Sequence, residues 1–187
     1  MEKGFTPIAG GVTAAKGFMA ASTAAGIKYS GRQDMAMIYS RIPCRAAGTF
    51  TTNIVKAAPV KWDQARIEEG AAAQAVVINA GIANACTGQE GMDYCSQTAE
   101  AAAQALGIPK ESVLVASTGV IGMQLPMDRI AAGVAAMAPK LEEGLAGGEA
   151  ASKAIMTTDT KNKEAAVQVE IGGATVTIGG MCKGSGM

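Results

Sequence analysis

The sequence predicts an α/β fold of layered helices and mixed sheet, and three observations carry that prediction. Hydrophobic residues make up 49% of the 187 positions but aromatics only 4%, so the core must be built from Ala, Val, Ile, Leu and Met. The 24 glycines allow the close backbone approach that such small side chains need. Strand-length apolar runs and helically spaced segments mix along the whole chain, with no repeat and no low-complexity linker. One domain over residues 1–187 is therefore expected.

"DMAMIYS" (Asp34 to Ser40) and "GTFTTNIVKAAPV" (Gly48 to Val60) are short apolar or β-branched runs, read as a β-rich region that Pro59 and Trp62 close. "DQARIEEGAAAQ" reads as a helix with Asp63 as its N-cap, leading into the buried strand "AVVINAG", which ends at Gly81. After the loop "NAGIANACTGQEG", a helix is expected from Asp93, with Cys95, Ala99, Ala102 and Leu106 on one face. Gly107 stops it and Pro109 lies beyond. "SVLVAS" (Ser112 to Ser117) is a second buried strand, and the helix after it begins near Pro126. Ile130, Val134, Met137 and Leu141 have helical spacing until Pro139 kinks or ends the pattern. "GLAGGEAA" reads as a loop before another short helix. "AAVQVEIGGATVTIGG" alternates Val167, Val169 and Ile171 up to Gly172-Gly173, the signature of a hairpin.

Charge and residue usage exclude several classes. Lys plus Arg and Asp plus Glu both total 16, so no global field draws nucleic acid or anionic lipid, and neither is expected as a partner. No uninterrupted apolar stretch reaches membrane-spanning length. Cys44, Cys86, Cys95 and Cys182 form no CxxC pair and read as small core residues, and the start "MEKGFTPIAGG" has no signal-peptide core, so a cytoplasmic setting is expected. Histidine is absent, which removes from these residues a Ser-His-Asp triad, a Cys-His dyad and any histidine-containing zinc site. No metal site is expected. Neither GxxxxGK[ST] nor a complete GxGxxG after a strand occurs, so the glycines do not imply a nucleotide.

Three stretches could carry chemistry. "STGVIG" (Ser117 to Gly122) reads as a strand-to-helix turn whose amides could converge on an anionic oxygen, or simply as a turn. "TTDT" (Thr157 to Thr160) groups three hydroxyls and a carboxylate, and caps a turn in the simpler reading. The acidic pairs at Glu69 and Glu142 read as solvated helix faces. The terminal "KGSGM" combines Lys183 with glycines that accept strained turns, and the sequence stops there without a polar tail, as at a cut edge or an artificial truncation.

Six segments taken in order, "GIKYSGRQDMAMIYS", "AAGTFTTNIVKAAPVKW", "INAGIANACTGQEGMDYC", "VLVASTGVIGMQLPMDRI", "AIMTTDTKNKEAAV" and "IGGMCKGSGM", together resemble one family. It is the bifunctional ornithine acetyltransferase and glutamate N-acetyltransferase family of arginine biosynthesis, and the resemblance covers most of the chain. It implies a self-processing N-terminal-nucleophile-like (DmpA/ornithine acetyltransferase-like) fold and makes this chain resemble the α chain of a self-cleaved precursor. In the family, a threonine a short way beyond the KGSGM motif becomes the first residue of a β chain and the catalytic nucleophile, so none is expected among these 187 residues. A terminal threonine carries its own α-amine as general base, which fits a chain without histidine.

The resemblance further implies that Thr118 and Gly119 form the oxyanion hole, through a hydroxyl and an amide, and that Thr157 and Lys183 contact substrate. The substrates would be N-acetylornithine and glutamate. No cofactor is implied, although some members also take acetyl-CoA as acetyl donor. The expected assembly is an α2β2 heterotetramer with the β chain, whose new terminus faces Thr118 and Gly119; Lys183 must then lie near both. This chain departs from the family where "NAGIANACTG" replaces NSGNANACTG and "MCKGSGM" replaces MAKGSGM, so Ala80 and Ile82 remove polar groups from a loop where substrate contacts are expected. Two other readings remain: a related self-processing amidase or aminopeptidase, and a non-enzymatic anion-binding module.

Overall fold

In the computed structural model, which describes residues 4–185, the strands fall into two sheets. Strand β1 (Phe5–Ile8) belongs to the smaller one. Strands β2 (Phe18–Thr23), β3 (Met35–Cys44), β4 (Ala73–Ile82) and β5 (Val113–Val120) lie in that order in a four-stranded sheet, antiparallel except for the parallel β4/β5 pair. Strands β6 (Lys163–Ile171) and β7 (Ala174–Cys182) form the predicted hairpin and join β1 in the order β1-β6-β7, all antiparallel. Gly172 and Gly173 turn it at φ 60 and 81, and positive φ at both central residues is what a two-residue hairpin turn of matching twist requires.

The two-residue period of β3 explains the layering. Met35 and Met37 face a core shared with helices α1 (Ala58–Glu68), α2 (Gly88–Leu106) and α3 (Met127–Met137), while Ala36 and Ile38 face α4 (Leu145–Ala154) on the other side. Both faces of the sheet are covered, which is why "DMAMIYS" and "AVVINAG" read as continuous apolar runs. Fully burying side chains such as Met35, Met37, Ile130 and Met137 contributes about 1.5–3 kcal/mol each. The parallel step from β4 to β5 is made through α2, as such connections require.

Several expectations hold. Gly107 ends α2 in the left-handed conformation at φ 66, Cys95, Ala99 and Ala102 are buried, and α3 begins after Pro126. The pattern of Ile130, Val134 and Met137 ends where Pro139 sits in a 3-10 turn, Ala138–Lys140. Others do not. "GTFTTNIVKAAPV" is not a strand: Gly48 to Val55 are irregular, and α1 already starts at Ala58, since Pro59 lacks only an N–H that the first turn leaves unpaired anyway. Trp62 is buried within that helix and donates its indole N–H to the Val113 carbonyl at 3.0 Å. Asp63 is therefore mid-helix rather than an N-cap, and α2 starts at Gly88 rather than Asp93.

"GLAGGEAA" is helix, not loop. A Cβ at Gly147 would lie 2.8 Å from the Ala20 carbonyl oxygen, and one at Gly148 would overlap the Thr13 hydroxyl, so these glycines admit α4 against β2 and the turn before that strand instead of breaking the helix. Tertiary contact overrides their weak helix propensity. Glu69 is exposed at the end of α1, whereas Glu142 pairs with Ala20 in an isolated bridge rather than lying in a helix. All four cysteines are free, but only Cys95 is a core residue: Cys86 and Cys182 are exposed and Cys44 is half-buried. Among the described residues no helix is long and apolar enough to cross a membrane, and no cluster of acidic or thiol groups is placed to hold a metal. The last two residues of "KGSGM", Gly186 and Met187, lie outside the described residues.

Candidate active site

The "STGVIG" stretch is not a strand-to-helix turn. Ser117 to Val120 continue β5 and stay in parallel register with Asn79 to Ile82 of β4, because the carboxamide of Asn79 locks the two strands. The Ser117 hydroxyl donates to Asn79 Oδ1 at 2.6 Å, and Asn79 Nδ2 donates to the Ile82 carbonyl at 2.8 Å. Beside this lock Gly119 faces Gly81, at φ 137 and 117. A Cβ at Gly119 would overlap the Gly81 carbonyl group, so only glycine fits there. The backbone is left bare next to the Thr118 side chain. Ala80 and Ile82 are buried in β4, while Gly81 between them lines the cleft; the two departures in "NAGIANACTG" therefore lie in a strand and turn inward, away from the expected substrate loop.

The opposite wall comes from the other end of the chain. After α4, the "TTDT" turn brings Thr157 to the cleft, and the end of β7 brings Lys183. Asp159 joins the two: its Oδ1 accepts the Gly184 N–H at 2.7 Å and lies 2.9 Å from Lys163 Nζ, and its Oδ2 lies 3.5 Å from Lys183 Nζ. The hydrogen bond from Lys163, with help from the Gly184 and Thr157 amides and the Lys183 charge, holds its carboxyl well below the usual carboxylate range.

A third segment completes the rim. Buried Asp34 accepts the N–H groups of Ala25 at 2.7 Å and Ile27 at 2.6 Å, and the Arg129 guanidinium donates to the Gly26 carbonyl. That loop places Lys28 and Tyr29 at the cleft, with the Lys28 ammonium 5.0 Å from the centre of the Tyr29 ring. Sequence reasoning did not single out Lys28, Tyr29 or a role for Asp159 beyond capping. The available signal was the polar, basic "KYSGR" cluster between Gly26 and Asp34.

All four residues singled out from the sequence, Thr118, Gly119, Thr157 and Lys183, line one cleft of about 460 Å³. Its chemistry is the hydroxyls of Thr118, Thr157, Thr158 and Tyr29, a bare glycine backbone and the ammonium groups of Lys28 and Lys183, which suits a small molecule bearing a carboxylate and a reaction that develops negative charge on oxygen. A second ionisable pair lies away from it. Burial pushes Asp63 up to about 6 although it accepts the Val115 N–H at 3.0 Å, and burial, then the Asp63 charge, pushes the Cys95 thiol up to about 12. A thiol so raised stays neutral, so Cys95 is no nucleophile.

Fold and cleft together define a two-sheet α/β protein with a small-molecule site assembled from distant segments. The chain belongs to the ArgJ family, whose model matches residues 19–187. It is 57% identical over 182 residues to the arginine biosynthesis bifunctional protein ArgJ of Symbiobacterium thermophilum, covering 96% of this chain and 44% of that protein. It is 49% identical to the ArgJ protein of Gloeobacter violaceus, covering 98% of this chain and 45% of that protein. The chain thus spans about half the length of the curated relatives it matches. Among solved structures, the ArgJ protein of Bacillus halodurans superposes with a TM-score of 0.92 at 42% identity, covering 98% of this chain and 95% of that one. The ornithine acetyltransferase of Mycobacterium tuberculosis, complexed with ornithine, superposes with a TM-score of 0.89 at 45% identity, covering 98% and 96%. The fold expected from the sequence is the fold of these proteins.

Proposed function

We propose that this chain is the α part of an acetyltransferase that moves an acetyl group from N-acetylornithine to glutamate through an acetyl-threonine on a β chain of the same precursor. The observation that supports it most is the convergence of Thr118, Gly119, Thr157 and Lys183, drawn from three separate segments, in one cleft.

In this reading the β-chain threonine hydroxyl attacks the acetyl carbonyl of N-acetylornithine, and its own α-amine accepts the hydroxyl proton. The Thr118 hydroxyl and the Gly119 amide donate to the oxygen that becomes negative, and each such donor contributes about 2.7–4 kcal/mol to the transition state. The C–N bond breaks, the proton passes to the departing amine, and ornithine leaves. The glutamate amine then attacks the ester carbonyl, the same donors stabilise the second tetrahedral intermediate, and N-acetylglutamate leaves as the threonine is restored. Thr157 and Lys183 hold the substrate, the lysine by its carboxylate. No metal or resident cofactor is needed, because the ester itself carries the acetyl group between the half-reactions; acetyl-CoA would enter as an alternative donor to the same threonine.

The β chain would cover apolar side chains that this chain leaves exposed, among them Ile42, Ile54 and Val55, and two αβ units would pair as α2β2 in a reduced cytoplasm. The test is the intact mass and N-terminal sequence of every chain that copurifies from the expressed full-length gene, followed by transfer of labelled acetyl from N-acetylornithine or acetyl-CoA to glutamate. A second chain beginning with threonine, together with transfer, is the expected result. A single uncut polypeptide overturns the proposal, and hydrolysis of peptide amides without transfer moves the chain to the amidase reading.

A further inference from the structure

Asp159 contacts two residues that line the cleft, Thr157 and Lys183, and its contacts have unequal lengths. Of its two backbone contacts, the local one, from the Thr157 N–H two residues away, is 3.4 Å, at the limit of a hydrogen bond. The one from the Gly184 N–H, across 25 positions of sequence, is 2.7 Å. A simple turn cap would show the reverse order. Gly184 is also the residue that permits this approach, since a Cβ there would overlap Asp159 Oδ1. The Asp159 side chain is 5% exposed and the Lys183 side chain 23%, so the clasp is not on open surface.

We propose that Asp159 is a positioning residue of the cleft: its carboxylate ties the Thr157 turn to Gly184 and Lys183, and so fixes the Lys183 ammonium where a substrate carboxylate docks. This rests on the reading that the cleft takes a carboxylate-bearing substrate. Charge supports the assignment. Lys163 makes the closer ion pair, at 2.9 Å against 3.5 Å for Lys183, so two lysines share one carboxylate and a net positive charge remains. The Lys183 ammonium also donates to the carbonyl of Gly184 at 2.9 Å, the residue whose N–H Asp159 holds, so the carboxylate and this backbone together steer it without neutralising it. Because the Asp159 carboxyl lies well below the usual range, it stays an anion through neutral pH and holds this arrangement rather than exchanging protons.

The test uses the full-length protein with its partner chain. Asp159→Asn keeps an acceptor for the Gly184 N–H but removes the charge, Asp159→Ala removes both, and Asp159→Glu restores the charge on a longer arm. The expected result is a KM for N-acetylornithine raised about tenfold in Asp159→Asn and further in Asp159→Ala, with kcat within about twofold and partial recovery in Asp159→Glu. A second readout needs no turnover: trace acetic anhydride labelling, followed by peptide mass spectrometry. Labelling of Lys183 should rise in the Asn and Ala variants while that of Lys28 stays constant. Should Asp159→Ala fail to fold, Asp159→Asn decides alone. An unchanged KM with unchanged Lys183 labelling overturns the inference, and a lowered KM does so too, because it would make Asp159 a competitor of the substrate carboxylate. Should the wild-type protein show no transfer activity while Lys183 labelling still rises in the variants, the clasp stands and the proposed reaction falls.

Discussion

Thr118 and Gly119 are neighbours with different constraints, and substitution separates them. Thr118→Ala removes one hydroxyl from a half-buried strand position, so the fold should persist while kcat for acetyl transfer falls roughly 10²–10³-fold, measured by steady-state kinetics beside an unchanged thermal midpoint. Gly119→Ala should fail earlier. Its φ of 137 alone strains an L residue by about 1–3 kcal/mol, and the new Cβ meets the Gly81 carbonyl, so the unfolding temperature itself should drop. Asp63 offers a test by pH. Its folded pKa of about 6 lies above the ordinary carboxylate value, so the native state binds the extra proton and loses stability as pH rises from roughly 4 through 6. Asp63→Asn keeps an acceptor for the Val115 N–H and should be more stable than wild type by about 1–2 kcal/mol at pH 8, with the gain vanishing near pH 4 in thermal unfolding.

The elements show where local pattern suffices. In the hairpin, a Cβ at Gly172 would meet only open space, and its φ of 60 is a conformation asparagine accepts. Gly172→Asn should therefore stabilise by a few tenths to about 1 kcal/mol through the unfolded chain, read by thermal unfolding. In α4 the same kind of change has the opposite sign. Gly147→Ala gains about 1 kcal/mol of helix propensity, but the new methyl lies 2.8 Å from the Ala20 carbonyl, and overpacking of this kind costs about 1–3 kcal/mol; denaturant unfolding should show net destabilisation. "IGGATV" announces its turn because both glycines act locally. "GLAGG" misleads because Gly147 and Gly148 answer to Ala20 and Thr13, more than 120 positions away in sequence. "STGVIG" misleads for a related reason: its glycines read as a turn, yet Gly119 serves a close approach of two parallel strands at Gly81.

At the scale of the whole molecule, burial sorts chemically identical groups. Cys86 is exposed and Cys95 is 2% exposed on the buried face of α2, so iodoacetamide should alkylate Cys86 in the native protein and Cys95 only on global unfolding, as peptide mapping would show. The sequence by itself determined the mixed α/β class, the buried strands β4 and β5, the terminal hairpin, the exclusion of histidine chemistry and the four residues of the cleft that the family resemblance selects. Those depend on period, composition and contiguous motif. Only the tertiary structure decided that Lys28 and Tyr29 share the cleft, that Asp159 clasps Gly184 and Lys183, that Asp63 lies inside a helix, and that glycine-rich segments run as helix and strand. Each of these depends on which distant backbone or charge a residue meets, and contacts across 25 or more positions leave no periodic trace in the chain.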